Sequence, residues 1–344
     1  MLREIFMKRK ITMQDIADKL GISKNSVSQA LSGKSGVSEE TRQLIEQTAK
    51  ELGYVYKSKN IPPKKERNIC IGLIATDFAF SLKAFFGEIF LAIEESCMKN
   101  GITLNIQSVS QEAKEKLILP DFIREKKVDG IIIVSHIRTE YIKKVIATGI
   151  PTVLIDHHHP LIDADAILTN NRFAAYMATK YLIDLGHKEI AFVGNIDFSP
   201  SYYERMEGYL LALREENITP QKNFMFMNVI EENKAVDICI QSLERVPTGW
   251  LCVNDGYGFM VCTSLKNRGL KIPNDASVIN FDNGQLSQIS QPQITTMAIH
   301  LNLYGKKAVE QLLWRINNPN EPKQEILFPA TLIKRESTGK CSKY

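Results

Sequence analysis

Residues 11–31 read ITMQDIADKLGISKNSVSQAL and contain two short helical patterns separated by a turn. Thr12 is placed to accept a hydrogen bond from the first helical turn, and Gly21 can end that helix because glycine readily adopts positive φ. Ser23 is placed to cap a second helix over residues 24–31, whose apolar residues recur at helical spacing. Two short helices joined by a tight turn with glycine predict a helix-turn-helix.

The second helix presents a polar outer face formed by Lys24, Asn25, Ser28 and Gln29. In a helix-turn-helix, this helix enters the major groove of DNA. Asn and Gln can each make paired hydrogen bonds to adenine, and Lys can reach guanine. We expect further contacts to go to phosphate oxygens, and the hydroxyls placed for them belong to Thr12, Ser23, Ser28, Ser38 and Thr41.

Charge is unevenly distributed along the chain. Residues 1–67 contain 14 Lys and Arg against 8 Asp and Glu, a net charge of +6, whereas the remainder carries −2. A basic head on a nearly neutral body favours binding to a polyanion such as DNA. On charge and spacing alone, one alternative stays open: a small three-helix bundle that packs on another protein.

From residue 68 onward, short apolar runs alternate with helical patterns. The predicted strands cover residues 69–75, 103–109, 130–135, 152–156, 190–195, 251–254 and 278–282. The predicted helices cover residues 85–99, 141–148, 174–185, 205–215 and 259–267. Near-continuous apolar strands bounded by helices are typical of parallel sheets covered on both faces. We expect an α/β region of two lobes that meet near residue 160, with ligand between the strand carboxyl ends.

Several functional classes are disfavoured. No stretch approaches the roughly 18–20 apolar residues of a membrane span. The short apolar patch at residues 5–7 is followed by Lys8-Arg9-Lys10, whereas a signal peptide has its charges first and a longer apolar stretch after them. The six cysteines are scattered. Neither a phosphate-binding GxxxxGK[ST] loop nor a GxSxG nucleophile elbow is present. We therefore expect a cytoplasmic protein that is not an enzyme, needs no cofactor and has no membrane partner.

Three adjacent histidines, His157 to His159, raise the question of a metal site. Adjacent side chains point in different directions and cannot form a tetrahedral site by themselves. No second cluster of ligating residues lies at a suitable spacing. We expect a turn beside the lobe interface, with one histidine near the ligand, and we predict no metal site.

Several motifs resemble those of the lactose-repressor (LacI/GalR) family. In the head they are residues 11–17, Gly21-Ile22-Ser23, residues 26–31, residues 37–42 and Leu52-Gly53-Tyr54. In the body they are Tyr181-Leu182-x-x-Leu185-Gly186-His187 followed by residues 190–194, Arg205-x-x-Gly208, Val253-Asn254-Asp255 and Ile279-Asn280-Phe281-Asp282. The resemblance extends from about residue 11 to residue 337.

The resemblance implies an N-terminal all-α helix-turn-helix headpiece at residues 11–56, after an N-terminal extension at residues 1–10. It implies a two-lobed α/β sensor of the type I periplasmic-binding-protein-like fold over residues 68–344. The chain would cross back near residues 290–325, so that residues 301–316 rejoin the first lobe. Lys24, Asn25 and Gln29 would occupy base-reading positions, with Gln29 where the family most often has Arg, and Tyr54 would be among the DNA-binding residues.

The function implied by the resemblance is that of a homodimeric repressor of carbohydrate-utilisation genes. Such a repressor binds a near-palindromic operator in double-stranded DNA and responds to a small, sugar-like effector held between its lobes. One alternative is a global carbon regulator controlled by a phosphorylated protein corepressor. A less favoured alternative is a solute-binding protein, which would require export.

The linker at residues 57–67 departs from the family pattern. Family members usually have a hinge helix that inserts a leucine pair into the minor groove. Here the segment contains Ile61-Pro62-Pro63, and proline disfavours helix both at its own position and just before it. We expect a basic, semi-rigid tether whose lysines attract phosphates, with Ile61 as the candidate for minor-groove insertion.

The candidate effector-binding residues lie just beyond predicted strands, where ligand sites of such sheets form. These positions hold Asp77, Phe78, Asp156, Asp255 and Asp282. Carboxylates accept pairs of sugar hydroxyls, and Arg205 can donate a fork of hydrogen bonds. Aromatic candidates on predicted loops are Phe78, Phe80, Tyr202 and Tyr203. The resemblance favours Arg205, Asp156 and Asp255, although Asp255 could instead cap the helix that follows Asn254.

Overall fold

The computed structural model describes residues 11–31, 36–52, 54, 68–77, 79, 85–134 and 137–342. The expected N-terminal extension, the linker with Ile61, and the aromatic candidates Phe78 and Phe80 lie outside the described residues. The chain divides into two compact units, Met1–Arg67 and Asn68–Tyr344.

Three helices make up the described part of the first unit: α1 (Met13–Leu20), α2 (Lys24–Leu31) and α3 (Glu39–Glu51). The Thr12 hydroxyl accepts a hydrogen bond from the Asp15 N–H at 3.4 Å, and the Asp15 carboxylate accepts one from the Thr12 N–H at 2.7 Å. Gly21 ends α1 at φ 65°, and the Ser23 hydroxyl accepts from the Ser26 N–H at 3.0 Å. The predicted helix-turn-helix is confirmed.

The headpiece core forms where the three helices meet. Its buried members are Ile16, Ala17, Val27, Ala30, Ile45 and Ala49. Leu44, which its apolar character would place in this core, is 53% exposed. The buried residues of α3 are Ile45, Thr48 and Ala49, so Leu44 lies outside the face that packs in the core.

Two six-stranded sheets form the second unit. The first contains β1 (Cys70–Thr76), β2 (Thr103–Val109), β3 (Gly130–Val134), β4 (Thr152–Ile155), β5 (Asp165–Thr169) and β11 (Glu325–Phe328), in the order β11-β5-β4-β3-β1-β2. The second contains β6 (Ile190–Val193), β7 (Met225–Phe226), β8 (Gly249–Cys252), β9 (Ser277–Asp282), β10 (Thr295–Ala298) and β12 (Thr331–Ile333), in the order β12-β10-β9-β8-β6-β7. The paired strands run parallel except β10 and β12, as expected for a two-lobed α/β fold.

The helices lie between successive strands. Those of the first half are α4 (Phe86–Lys99), α5 (Gln111–Glu115), α6 (Asp121–Arg124) and α7 (Thr139–Ile146). Those that follow are α8 (Asn171–Asp184), α9 (Pro200–Glu215), α10 (Asn233–Gln241), α11 (Asp255–Asn267), α12 (Gln285–Ile289) and α13 (Leu301–Asn317). Helix α9 begins five residues before its predicted start because Ser199 caps it and Pro200 occupies its first turn. Tyr202 and Tyr203 are therefore helical and not on a loop.

The chain passes between the two lobes three times. The first passage follows Thr169 instead of lying near residue 160, because β5 pairs with β4 and so stays in the first sheet. The second follows β10, and α13 then packs in the first lobe through Leu301, Tyr304 and Leu312. The third lies between β11 and β12, which belong to different sheets. Three connections therefore link the two lobes.

Arg315 on α13 and Asp165 at the start of β5 form a buried ion pair that holds the returning helix on the first sheet. Arg315 donates to both carboxylate oxygens, from Nε at 2.8 Å and from Nη2 at 2.7 Å. The two side chains are 2% and 0% exposed. Burial alone would raise the pKa of Asp165, but hydrogen bonds from Arg315, the Gln324 N–H and Gln311 outweigh it, so the pKa is lowered.

We expect Arg315→Leu to destabilise the sensor by about 3–5 kcal/mol, because it leaves the Asp165 carboxylate buried without a counter-charge. Urea denaturation measures this change. Lys307→Ala is the matched control on the same helix, since it removes an exposed pair with Glu310 that contributes at most about 1 kcal/mol. Equal stability of the two variants would contradict the assigned role of Arg315.

Candidate functional site

The polar face of α2 is presented to solvent as a DNA-reading helix requires. Lys24 and Asn25 are exposed on its first turn, and Ser28 and Gln29 are partly buried on the next. The opposite face carries Val27 and Ala30, which are buried in the headpiece core. Packing of these two residues therefore fixes which side of α2 is turned outward.

Of the hydroxyls predicted to contact phosphate, all but that of Ser28, which lies in the middle of α2, are at helix starts. Thr12 and Ser23 cap α1 and α2, and Ser38 caps α3 by accepting from the Thr41 N–H at 3.3 Å. The Ser38 and Thr41 hydroxyls also lie 2.8 Å apart. Because helix N-termini attract anions, these residues are placed where phosphates bind favourably. Tyr54 is half-buried and packs against the headpiece core. It therefore stabilises the fold of the headpiece, whether or not it also contacts DNA.

A cavity of about 720 Å³ opens between the two lobes of the sensor. On the side of the first lobe, the cavity is lined by Phe85, Phe86 and Asp156. From the second lobe, the wall includes Asn195, Phe198, Ser201, Tyr202, Arg205, Ile230, Glu231, Glu232, Asn254, Asp255, Tyr257 and Asp282. The volume is in the range of small-molecule sites, and both lobes contribute to it.

Arg205 on α9 is buried at the centre of this site, 2% exposed. Its Nε donates to Asn171 Oδ1 at 2.9 Å, and its Nη1 donates to the carbonyl of Val253. The same Nη1 lies 3.6 Å from Asp282 Oδ1, and the guanidinium stands 4.2 Å over the Phe281 ring. These contacts fix the orientation of the guanidinium.

Three aspartates line the cavity together with Arg205, and burial is the main influence on the pKa of each. Burial raises the pKa of Asp156 and of Asp255 to about 6 and that of Asp282 to about 7. The Ser201 hydroxyl donates to Asp156 at 2.9 Å, and the Ser287 hydroxyl donates to Asp255. Oδ1 of Asp282 is buried with no hydrogen-bond partner among the described residues.

The backbone at two of these aspartates is unusual. Asp156 has φ 55° and Asp282 has φ 90°, in the left-handed region that L-residues rarely adopt. Such conformations each cost on the order of 1–3 kcal/mol and concentrate at functional sites. The chain therefore keeps a strained backbone at the two strand ends that face the cavity.

Asp255 does not cap its helix, in contrast to the alternative considered from the sequence. Asn254 is the N-cap of α11, and its Oδ1 accepts from the Tyr257 N–H at 2.9 Å. Its Nδ2 donates to the Tyr202 hydroxyl at 2.8 Å and to Glu231 Oε1 at 2.9 Å. Asp255 is the first helical residue, and it is one of the residues that line the cavity.

The structure brings Asp156, Arg205, Asp255 and Asp282 together at the cavity, but not Asp77. Asp77 is exposed and follows Thr76, whose hydroxyl accepts from the Ala79 N–H at 3.1 Å in the turn that begins there. Phe78 lies outside the described residues. Of the two tyrosines, Tyr202 lines the cavity, whereas Tyr203 is 49% exposed.

Sequence reasoning missed several residues of the cavity wall. Asn195 and Asn254 stand at the ends of predicted strands, so the strand-end rule that found the aspartates could also have found them. Glu231 and Phe198 had no such signal, because they lie on connections whose course depends on tertiary contacts. Ring stacking of Phe198 on Tyr202, with centroids 5.9 Å apart, is one such contact.

His158 connects the two lobes beside the cavity. Its Nε2 lies 2.5 Å from Glu204 Oε1 on α9, and its Nδ1 lies 3.0 Å from Glu325 Oε1 on β11. The other oxygen of Glu204 accepts from Asn171 at 3.0 Å, the residue that orients Arg205. The predicted turn beside the lobe interface thus contributes an interlobe bridge linked to the buried arginine.

Two features are absent from the described part of the chain. No group of three or more His, Cys, Asp or Glu side chains there is arranged to hold a metal ion. None of its helices combines the length and the apolar character needed to cross a membrane.

Comparison with known proteins identifies the family. A sequence model of the lacI family of bacterial regulatory proteins matches residues 12–56, and one of a periplasmic binding protein-like domain matches residues 179–338. The ribose operon repressor of Haemophilus influenzae is 31% identical over 330 residues, covering 95% of this chain and 98% of that protein. This chain belongs to the LacI family.

Other LacI-family members match along nearly the whole chain. The HTH-type transcriptional repressor PurR of Vibrio atlanticus is 30% identical over 331 residues, covering 95% of this chain and 98% of that protein. The structure of the lac repressor dimer bound to operator and the anti-inducer ONPF aligns with TM-score 0.70 at 23% identity, covering 96% and 100% of the two chains. The LacI-family fold predicted from the sequence is confirmed, and these relatives are named as repressors, not as enzymes.

We expect the interlobe bridge to make stability depend on pH. The two carboxylates, Glu204 foremost, raise the pKa of His158 from 6.5 to about 9. A raised histidine pKa adds stability that is complete below pH 6.5 and is lost as the pH rises through 9. The unfolding free energy of the native chain should therefore exceed that of His158→Gln by about 1–3 kcal/mol at pH 6 and converge with it by pH 10.

His159→Gln is the control for this comparison, since His159 is an exposed neighbour in the same turn. Urea denaturation at pH 6, 8 and 10 gives the free energies. A native-minus-His158→Gln difference that stays constant across this range would show that the bridge is not ionic.

Proposed function

We propose that this LacI-family chain is a cytoplasmic, non-enzymatic repressor of carbohydrate-utilisation genes. As a homodimer it binds a near-palindromic operator, and a sugar-like effector bound between the sensor lobes changes its operator affinity. The observation that carries the proposal is the cavity between the lobes, with an oriented arginine and carboxylates on its wall. The name of the ribose operon repressor supports the assignment to carbohydrate genes.

The chemistry of the wall suits a polyhydroxylated ligand. Carboxylates accept hydrogen bonds from pairs of hydroxyls, and the guanidinium of Arg205 can donate to ring or hydroxyl oxygens. The rings of Phe86, Phe198 and Tyr202 supply flat apolar surface for a sugar face. A cavity of about 720 Å³ accommodates a mono- or disaccharide.

Effector binding can reach the headpieces only if the ligand distinguishes two arrangements of the lobes. Asp156 contacts the ligand space from the first lobe and accepts from Ser201 on α9 of the second lobe at 2.9 Å. Arg205 is connected through Asn171 and Glu204 to His158 on the first lobe. A ligand that engages both Asp156 and Arg205 therefore favours one relative position of the lobes.

Specific DNA binding is assigned to α2. Lys24 and Asn25 are its exposed leading residues, and Gln29 follows one turn later. A symmetric dimer presents two copies of this helix, and its symmetry is mirrored in a near-palindromic operator. The lac repressor structure, a dimer on its operator, is consistent with this arrangement.

The sensor proposal predicts that one sugar on a panel raises the thermal unfolding midpoint of the full-length protein. A ligand at ~100 times its dissociation constant adds about 2.7 kcal/mol, which corresponds to a shift of several degrees. Arg205→Lys should abolish the shift, because lysine cannot reproduce the oriented fork. Arg214→Lys, an exposed change on the same helix, should leave the shift intact; loss in both variants would argue against a specific role for Arg205.

The DNA-binding proposal predicts that the full-length protein selects a near-palindromic sequence from random duplexes. Lys24→Ala, Asn25→Ala and Gln29→Ala should each weaken binding to the selected duplex by about 10- to 100-fold, since a paired base contact contributes about 1–3 kcal/mol. Gln43→Ala, an exposed change on α3, is the control. Fluorescence anisotropy measures the affinities. Selection of no sequence, or equal effects of all four changes, would exclude α2 as the reading helix.

A further inference from the structure

Asn254 holds two side chains of the cavity wall with one amide group. Its Nδ2 donates to the Tyr202 hydroxyl at 2.8 Å and to Glu231, at 2.9 Å from Oε1 and 3.0 Å from Oε2. Its Oδ1 caps α11 by accepting from the Tyr257 N–H at 2.9 Å. Because a backbone N–H can only donate, this cap fixes which end of the amide faces the cavity wall. Tyr202 and Glu231 therefore both act as acceptors towards Asn254.

The direction of these hydrogen bonds determines what the two side chains can offer a ligand. A phenol has one O–H donor besides its lone pairs, and the Tyr202 hydroxyl uses a lone pair for Asn254. Its O–H donates to no other group of the described residues. The ionised carboxylate of Glu231 can only accept, and it has lone pairs beyond those engaged by Asn254. Since both residues line the cavity, a donor and an acceptor stand side by side for a ligand.

Tyr202 and Glu231 are near enough for one ligand group to contact both. Their oxygens lie 2.8 and 2.9 Å from the same Asn254 nitrogen, so they are at most about 5.7 Å apart, the sum of the two distances. One hydroxyl can span about 5–6 Å between two partners, because each O–H···O hydrogen bond is about 2.5–3.0 Å long. An alcohol can accept from Tyr202 while it donates to Glu231, and hydrogen bonds chained in this way strengthen one another.

Contacts on its ring hold Tyr202 in place. Phe198 stacks on the ring with centroids 5.9 Å apart, and the guanidinium carbon of Arg205 lies 5.6 Å from the ring centroid. The position of the hydroxyl is thus set by the protein and does not adapt freely to a ligand. A site with fixed polar groups discriminates sharply, because a ligand without the matching group leaves them unpaired.

The Glu231 carboxylate has its place because residue 256 is glycine. Gly256 lies in the first turn of α11, and a Cβ there would overlap Glu231 Oε1 and lie 3.0 Å from Glu231 Cδ. The overlap is with the end of a flexible side chain, so an alanine at this position would displace the carboxylate and leave the helix unchanged. Alanine is also the better helix former. The position of Glu231 can therefore be disturbed without altering its chemistry.

We infer that Tyr202 and Glu231 form a specificity pair that recognises one hydroxyl group of the effector. Tyr202 donates to the oxygen of that hydroxyl, and Glu231 accepts a hydrogen bond from it. The inference rests on the proposed sensor function and deepens it, because it assigns the ligand group that this part of the wall requires. A methyl ether at the same position keeps the acceptor and loses the donor, whereas a deoxy sugar loses both.

The test uses the full-length protein and sugars that differ at one hydroxyl. D-Glucose, D-galactose, D-mannose and D-ribose are titrated calorimetrically at pH 7.5. The sugar that binds most tightly is then compared with each of its monodeoxy and mono-O-methyl forms. We expect removal or methylation of the recognised hydroxyl to weaken binding by about 10- to 100-fold, because the phenol and the carboxylate both lose their partner.

Three variants identify the recognised hydroxyl. Tyr202→Phe removes the donor, Glu231→Gln removes the charged acceptor, and Gly256→Ala displaces the acceptor while both side chains stay intact. Each variant should reduce the ratio of deoxy-sugar to parent-sugar dissociation constants at least three-fold, and at the same ring position in all three. The effects of Glu231→Gln and Gly256→Ala should not add when the two changes are combined, since both remove one contact.

Tyr203→Phe and Glu244→Gln are the matched controls, because both side chains are exposed. They should leave this ratio unchanged at every ring position. If a sugar binds but the three variants leave all ratios unchanged, or act at different positions, the specificity pair is overturned and the sensor function stands. If none of the four sugars binds, the inference is overturned, and selection of a DNA sequence then decides the repressor function by itself.

Discussion

The sensor depends most on the burial of one guanidinium. Arg205 is removed from water, and a buried charge is tolerated only when it is paired and hydrogen-bonded. Its partners come from separate parts of the second lobe: Asn171 at the start of α8, the Val253 carbonyl after β8, and Asp282 at the end of β9. The need to satisfy this charge therefore sets the positions of three segments at once, and the cavity is the space that they enclose.

Features controlled by near neighbours in the chain could be predicted from the sequence. The capping roles of Thr12 and Ser23 and the left-handed Gly21 each depend on contacts within about four residues. The apolar runs that became β1, β3 and β9 were also recognisable, because strands buried on both faces are almost continuously hydrophobic. The position just beyond a strand end identified three aspartates of the cavity wall, since parallel strands end at a common edge.

Features controlled by distant partners could not be predicted in this way. Strand β5 begins with Asp165, a residue type that is unfavourable in strands. Its buried charge is balanced by Arg315, which lies 150 residues later in the sequence. Glu231 reaches the cavity through its hydrogen bonds with Asn254, which no local pattern reveals. Asp77 follows a strand as predicted, but its side chain is exposed and it is not among the described residues of the cavity wall.

The three passages between the lobes have a consequence for synthesis on the ribosome. Helix α13 and edge strand β11 complete the first lobe, yet they are translated after every strand of the second lobe except β12. Until then, the growing polypeptide exposes the unpaired edge of β5 and the apolar surface that α13 later covers. Unpaired edges of this kind invite aggregation. The lobe that is made first is thus the last to be finished, and the nascent chain needs protection until about residue 328 has emerged.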